Sequence, residues 1–108
     1  LGDVGYAVES YAKSFGFAVV RDYVGHGVGR KLHESPSIPN YGTPGHGLKL
    51  LPGMTLAIGP MINAKGSEVV VKKDGTVLTR SGSLSAHFEH TIAITASGPV
   101  IMTEWEER

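Results

Sequence analysis

The chain has 108 residues, the size of one small domain or of a piece of a larger one. Ten basic and ten acidic residues cancel, and neither sign forms a long run, so nucleic-acid and anionic-membrane binding gain no support. A 41% hydrophobic content is too high for a disordered tail, the lack of cysteine excludes disulfides and thiolate metal sites, and no stretch approaches the roughly 18 apolar residues of a membrane span.

Val4, Ala7, Val8, Tyr11, Ala12 and Phe15 recur at helical spacing and predict an amphipathic helix over 4–15. Asp3 is placed to cap its first turn, and Gly16 suits the left-handed residue after its last. The helix starts almost at the first residue, from which further chain upstream is expected. Residues 17–24 read as a strand. There follows Gly25-His26-Gly27-Val28-Gly29-Arg30-Lys31-Leu32-His33-Glu34-Ser35-Pro36, with two histidines seven apart. Taken singly, each is an ordinary loop or core histidine. In a Gly-His-Gly-x-Gly run, however, the missing Cβ atoms allow a ligand or metal to come close.

Three prolines and three glycines in residues 35–47 predict a loop, in which His46 is a loop residue. Residues 54–62 read as a strand with Thr55, Ala57, Gly59 and Met61 on one face. Residues 69–78 form a hairpin with Asp74-Gly75 at its turn, and its lysines mark a solvated edge. Residues 85–95 predict a longer strand, with His87, Glu89, Thr91 and Ala93 on one face and Phe88 and His90 on the other. A short strand over 99–102 precedes a charged tail, Glu104-Trp105-Glu106-Glu107-Arg108. One helix and about five strands make an α+β domain over 1–108, with the helix packed on a mostly antiparallel sheet.

A carboxylate among apolar strand residues costs several kcal/mol to bury unless it is paired or bound to a cation. Glu89 is such a residue. A solvated sheet face accounts for it in isolation; together with His26 it makes a donor pair suited to manganese, iron, cobalt or zinc.

The string from Val24 to Pro36 closely resembles the signature of the type I methionine aminopeptidases. Asp3-Val4-Gly5-Tyr6-Ala7, Leu51-Pro52-Gly53-Met54-Thr55 and Ser83-Leu84-Ser85-Ala86-His87-Phe88-Glu89-His90-Thr91-Ile92 match further motifs of that family in the same order. The resemblance implies half of a pita-bread fold, the carboxyl-terminal one. It implies a dinuclear site of divalent metal ions with five protein ligands, acting on the amino-terminal methionine of peptides. His26 matches the histidine ligand, Glu89 the bridging glutamate, and His33 the catalytic histidine that contacts substrate. The family's two aspartate ligands belong to the other half. Its second glutamate stands in Ile-Glu-Pro-Met, which here reads Ile58-Gly59-Pro60-Met61, so Gly59 marks a lost ligand. The hairpin also lacks the tryptophan often found after its glycine.

Two ligands fall short of the roughly three that even mononuclear catalytic zinc requires. His87, on the face expected for Glu89, is a candidate substitute. The expected chain is therefore a methionine aminopeptidase-like fragment, inactive alone, or else a metal-free peptide-binding scaffold of the same fold. The missing half or a second copy is the expected partner, with no nucleic acid and no membrane, and the expected compartment is the cytoplasm.

Overall fold

The computed structural model describes residues 1–104. Of the charged tail expected at Glu104 to Arg108, Trp105 to Arg108 lie outside the described residues. Helix α1 (Gly2–Ser14) precedes ten short strands: β1 (Ala18–Val19), β2 (Gly25–Gly27), β3 (Glu34–Ile38), β4 (Thr55–Ile58), β5 (Met61–Asn63), β6 (Val69–Val71), β7 (Val77–Thr79), β8 (Ser85–His87), β9 (His90–Thr95) and β10 (Gly98–Ile101). They form a five-stranded sheet in the order β10-β9-β4-β2-β3, a three-stranded sheet in the order β1-β5-β8, and the hairpin β6-β7. Every pairing is antiparallel. None of the described helices is long and apolar enough to cross a membrane.

The helix starts two residues before its expected first turn, and Asp3 is not its cap. The cap position is Leu1, without a side-chain hydrogen bond. A tertiary strap replaces the local cap: the Gly2 N–H donates to His46 O at 2.9 Å, and Asp3 Oδ1 accepts the Gly45 N–H at 3.0 Å. At the other end Gly16 takes φ 79°, as expected for the residue after a helix. The strap explains Gly5. A Cβ there would run into the Tyr41 backbone carbonyl, so the helix lies against the 41–46 segment without a side chain between them. Gly→Ala within a helix ordinarily stabilises by about 1 kcal/mol. Here the sign reverses: Gly5→Ala is expected to cost about 1–3 kcal/mol through overpacking, read as a lower urea midpoint at unchanged slope.

Two expected strands are each broken. Residues 54–62 divide at Gly59-Pro60 into β4 and β5, which belong to different sheets, and residues 85–95 divide at Phe88-Glu89 into β8 and β9. The breaks lie side by side, since Ile58 pairs with His90 on one flank and Met61 with His87 on the other. Pro60 has no N–H to give to a ladder, so both strands change sheet together at this point. The strand expected over 17–24 shrinks to Ala18–Val19, because the chain changes sheet again before β2. The loop expected over 35–47 begins later than supposed, because β3 reaches Ile38 with Pro36 inside it. That strand is an edge, where a missing donor is tolerated.

The core consists of Ala12, Val19, Val20, Ile38, Leu56 and Ala57. The hairpin turns at Asp74-Gly75, with Gly75 at φ 91°. Asp74 Oδ1 accepts the Thr76 N–H at 2.9 Å, and that bond holds the carboxyl below its ordinary 3.8. The contact therefore persists above the carboxylate range and is lost as the pH falls through the lowered value.

Candidate metal centre

His26 is the middle residue of β2, paired with Ala57 of β4 and Ser37 of β3. Its flanking glycines have a different purpose from the one their sequence suggests. A Cβ on Gly25 would strike Ala57 O, and one on Gly27 would strike Ser35 O. The glycines thus let β2 fit between two neighbouring strands rather than admit a ligand.

A register shift between His26 and Gly27 turns the Gly27 carbonyl toward the imidazole, and Nδ1 lies 2.9 Å from that oxygen. A carbonyl only accepts, so Nδ1 carries a proton, and in the neutral ring the lone pair falls on Nε2. This is the orientation a metal-binding imidazole needs. Nε2 faces Glu89 Oε1 at 3.7 Å. That is too long for a hydrogen bond, yet shorter than two metal–donor distances of about 2.0–2.2 Å laid end to end.

Glu89 projects from the break between β8 and β9, directly beside the break that holds Gly59. A Cβ at Gly59 would lie 2.8 Å from Glu89 Oε1 and 3.2 Å from its Cγ and Cδ. The Glu89 side chain therefore lies across the space that a residue-59 side chain would enter. His33 joins the group from the turn before β3, its ring centroid 4.1 Å from that of His26 with the planes tilted 46°. That turn is held by the Lys31 N–H, which donates to Glu34 Oε2 at 2.8 Å. Residues far apart in sequence thus meet at one point, and Gly59 contributes no side chain there.

His87 does not join them. It lies on β8, against a separate cavity of about 210 Å³ that Val20, Met61 and Asn63 also line. Among the described residues, no three histidine, cysteine, aspartate or glutamate side chains are grouped so as to hold a metal ion. His90 turns to other work: its Nδ1 lies 2.8 Å from Thr103 Oγ1. Sequence reasoning missed the orienting role of the Gly27 carbonyl, which arises from a register shift that has no residue signature.

His26 Nε2 and Glu89 Oε1, 3.7 Å apart on an antiparallel α+β frame, are a nitrogen and an oxygen of the kinds that divalent metals take. Residues 1–96 match metallopeptidase family M24, and the chain belongs to that family. It is 51% identical over 104 residues to the methionine aminopeptidase of Clostridium acetobutylicum, covering 95% of this chain and 42% of the relative. It is 54% identical over 105 residues to that of Rickettsia prowazekii, covering 95% and 40%. The crystal structure of methionine aminopeptidase from Thermotoga maritima superposes with a TM-score of 0.92 at 58% identity, covering 96% of this chain and 42% of that one. The fold is accordingly half of a pita bread, and the chain spans about two-fifths of the length of the relatives it matches.

Proposed function

We propose that residues 1–108 form one domain, the carboxyl-terminal half of a methionine aminopeptidase-like metallohydrolase. In this reading His26 and Glu89 are donors to a divalent cation (manganese, cobalt, iron or zinc) and His33 contacts the amino-terminal peptide substrate. The observation that carries it is the approach of His26 Nε2 to Glu89 Oε1 at 3.7 Å, with the Glu89 side chain lying over the bare Cα of Gly59. The names and identities of the relatives support the same reading.

Two donors do not fit a catalytic metal by themselves, so no hydrolytic step is assigned to this chain alone. In this reading the remaining donors come from a complementary part of the fold and from the carboxylate that is lacking at Gly59. The cytoplasm is the proposed compartment, in keeping with a sequence that has no cysteine.

The test is release of methionine from a short Met-Gly-Ser peptide in the presence of manganese. The chain is co-expressed with the part of the Thermotoga relative outside the matched region. The expected result is release with Gly59→Glu and at least a hundredfold less with the parent chain. Equal release by the two, or release by the parent chain alone, would overturn the proposal. A metal-free peptide-binding scaffold is the second reading, favoured by the way Glu89 fills the space beside Gly59. Saturable peptide binding that is indifferent to chelator would support it.

A further inference from the structure

His33 stands in a loop that is held at few points. Residues 28–33 join β2 to β3, a connection longer than the roughly two to five residues of a common hairpin. Arg30, Lys31 and Leu32 are all exposed, Leu32 to 71%, so apolar packing does little to fix their backbone. His33 is exposed as well. The rings of His26 and His90 are each hydrogen-bonded, whereas that of His33 has no such partner among the described residues. Its place against the His26 ring therefore depends on the backbone that carries it.

Two backbone bonds tie the start of the loop. The Val28 N–H donates to Thr55 O of β4 at 2.8 Å, and the Gly29 N–H donates to Lys31 O at 3.1 Å. Beyond these, the one side-chain hydrogen bond to the loop among the described residues comes from Glu34. Its backbone pairs with Gly27 across the hairpin, at the register shift that follows His26. Its side chain turns back over the loop, where Oε2 accepts the Lys31 N–H at 2.8 Å.

Gly29 lies under the same carboxylate. A Cβ there would strike Glu34 Oε1 and would lie 2.8 Å from Cδ and Oε2. Gly29 is not among the glycines with positive φ, so it is the space, not the backbone conformation, that favours glycine here. Glu34 forms no ion pair among the described residues, although Arg30 and Lys31 stand near it in sequence. Its charge goes instead to a backbone N–H, and such a charge-assisted bond is roughly twice as strong as a neutral one.

We propose that Glu34 is the positioning residue of His33. One carboxylate, seated on Gly29 and bonded to Lys31, fixes the backbone from which the His33 ring reaches that of His26. This rests on the reading above that gives His33 the substrate. The two fail separately, because the placement of the ring can be measured without hydrolysis.

The first measurement is the nuclear Overhauser contact between the His26 and His33 rings, whose centroids lie 4.1 Å apart, in the chelator-treated chain. Glu34→Gln is expected to keep the contact, since an amide oxygen still accepts the Lys31 N–H, and Glu34→Ala to lose it. Gly29→Ala is expected to at least halve it, because the new Cβ displaces the carboxylate without removing it. Unchanged contacts between His26 and Ala57 show that the sheet is intact in each variant. A ring contact that is missing from the parent, or that survives Glu34→Ala, overturns the proposal. If Glu34→Ala does not fold, an undiminished contact in Gly29→Ala overturns it. The second measurement is methionine release by the Gly59→Glu chain co-expressed with the part of the Thermotoga relative outside the matched region. There Glu34→Ala is expected to lower kcat at least tenfold, and to cost nothing more once His33→Ala is present. Additive losses would give Glu34 a role apart from His33 and overturn the proposal. Loss of the ring contact in Glu34→Ala, with no methionine released by the Gly59→Glu pair, leaves the positioning intact and removes the functional reading.

Discussion

The Gly59→Glu chain is expected to bind Mn2+ or Co2+ at least ten times more tightly than the parent chain. The parent offers His26 Nε2 and Glu89 Oε1 at 3.7 Å from each other. A glutamate at position 59 would enter beside Glu89, since its Cβ would lie 2.8 Å from Glu89 Oε1. The close contact is cheap to relieve, because the atom in the way is the free end of a side chain that is about half exposed. The gain of a third donor is therefore not offset by backbone strain, and tenfold corresponds to only about 1.4 kcal/mol.

Without metal the same substitution has the opposite sign. A second carboxylate beside Glu89 repels it, so the metal-free variant should melt below the parent. Adding Mn2+ should then raise the variant's melting temperature and leave the parent's unchanged. Cobalt absorption and thermal melts with and without chelator read both effects. Adding His26→Ala to the variant should return its cobalt affinity to the parent level. A variant no tighter than the parent would mean that the three positions do not share a centre.

Leu56→Ala is expected to cost about 2–5 kcal/mol, a large part of the roughly 5–15 kcal/mol that holds a typical domain together. Leu56 is 1% exposed and sits in β4, at the middle of the five-stranded sheet, facing Gly27 on one side and Ile92 on the other. Neither neighbour can fill the space: Gly27 has no side chain, and Ile92 is fixed in its own ladder. The cavity would stay open beside the strand that carries His26. Urea denaturation measures the loss. A change below about 1 kcal/mol would show that the sheet collapses around the site and that β4 is not the rigid support described here.

Much of this site is legible in the sequence because it is carried by chemistry-bearing residues in ordered motifs. His26, His33 and Glu89 stand in strings that resemble a known family, and the resemblance implies a lost ligand at Gly59; the structure puts His33 and Glu89 beside His26, and Glu89 beside Gly59. The helix and the Asp74-Gly75 hairpin are legible because each has a local cause, apolar spacing in one case and turn chemistry in the other.

What the sequence hides is where strands change sheet. Residues 54–62 and 85–95 each alternate well enough to read as one strand, and the crossing at Gly59-Pro60 and Phe88-Glu89 exists only because the two segments pair with each other. Asp3 misleads for a similar reason. Its capping potential is real, but the Gly45 N–H from a distant loop takes the carboxylate instead. His87 misleads because alternation assigns it to the face of Glu89, while β8 ends at His87 and Glu89 lies in the break before β9.

Calorimetric titration of the chelator-treated parent chain with Mn2+ and Co2+ tests most directly the claim that this chain supplies two metal donors and lacks the third. Two donors predict no saturable binding tighter than about 1 mM, a standard free energy no better than about −4 kcal/mol. Binding of one ion per chain at micromolar concentration would contradict the account, because it would require a third donor that the arrangement of His26, Glu89 and Gly59 does not provide.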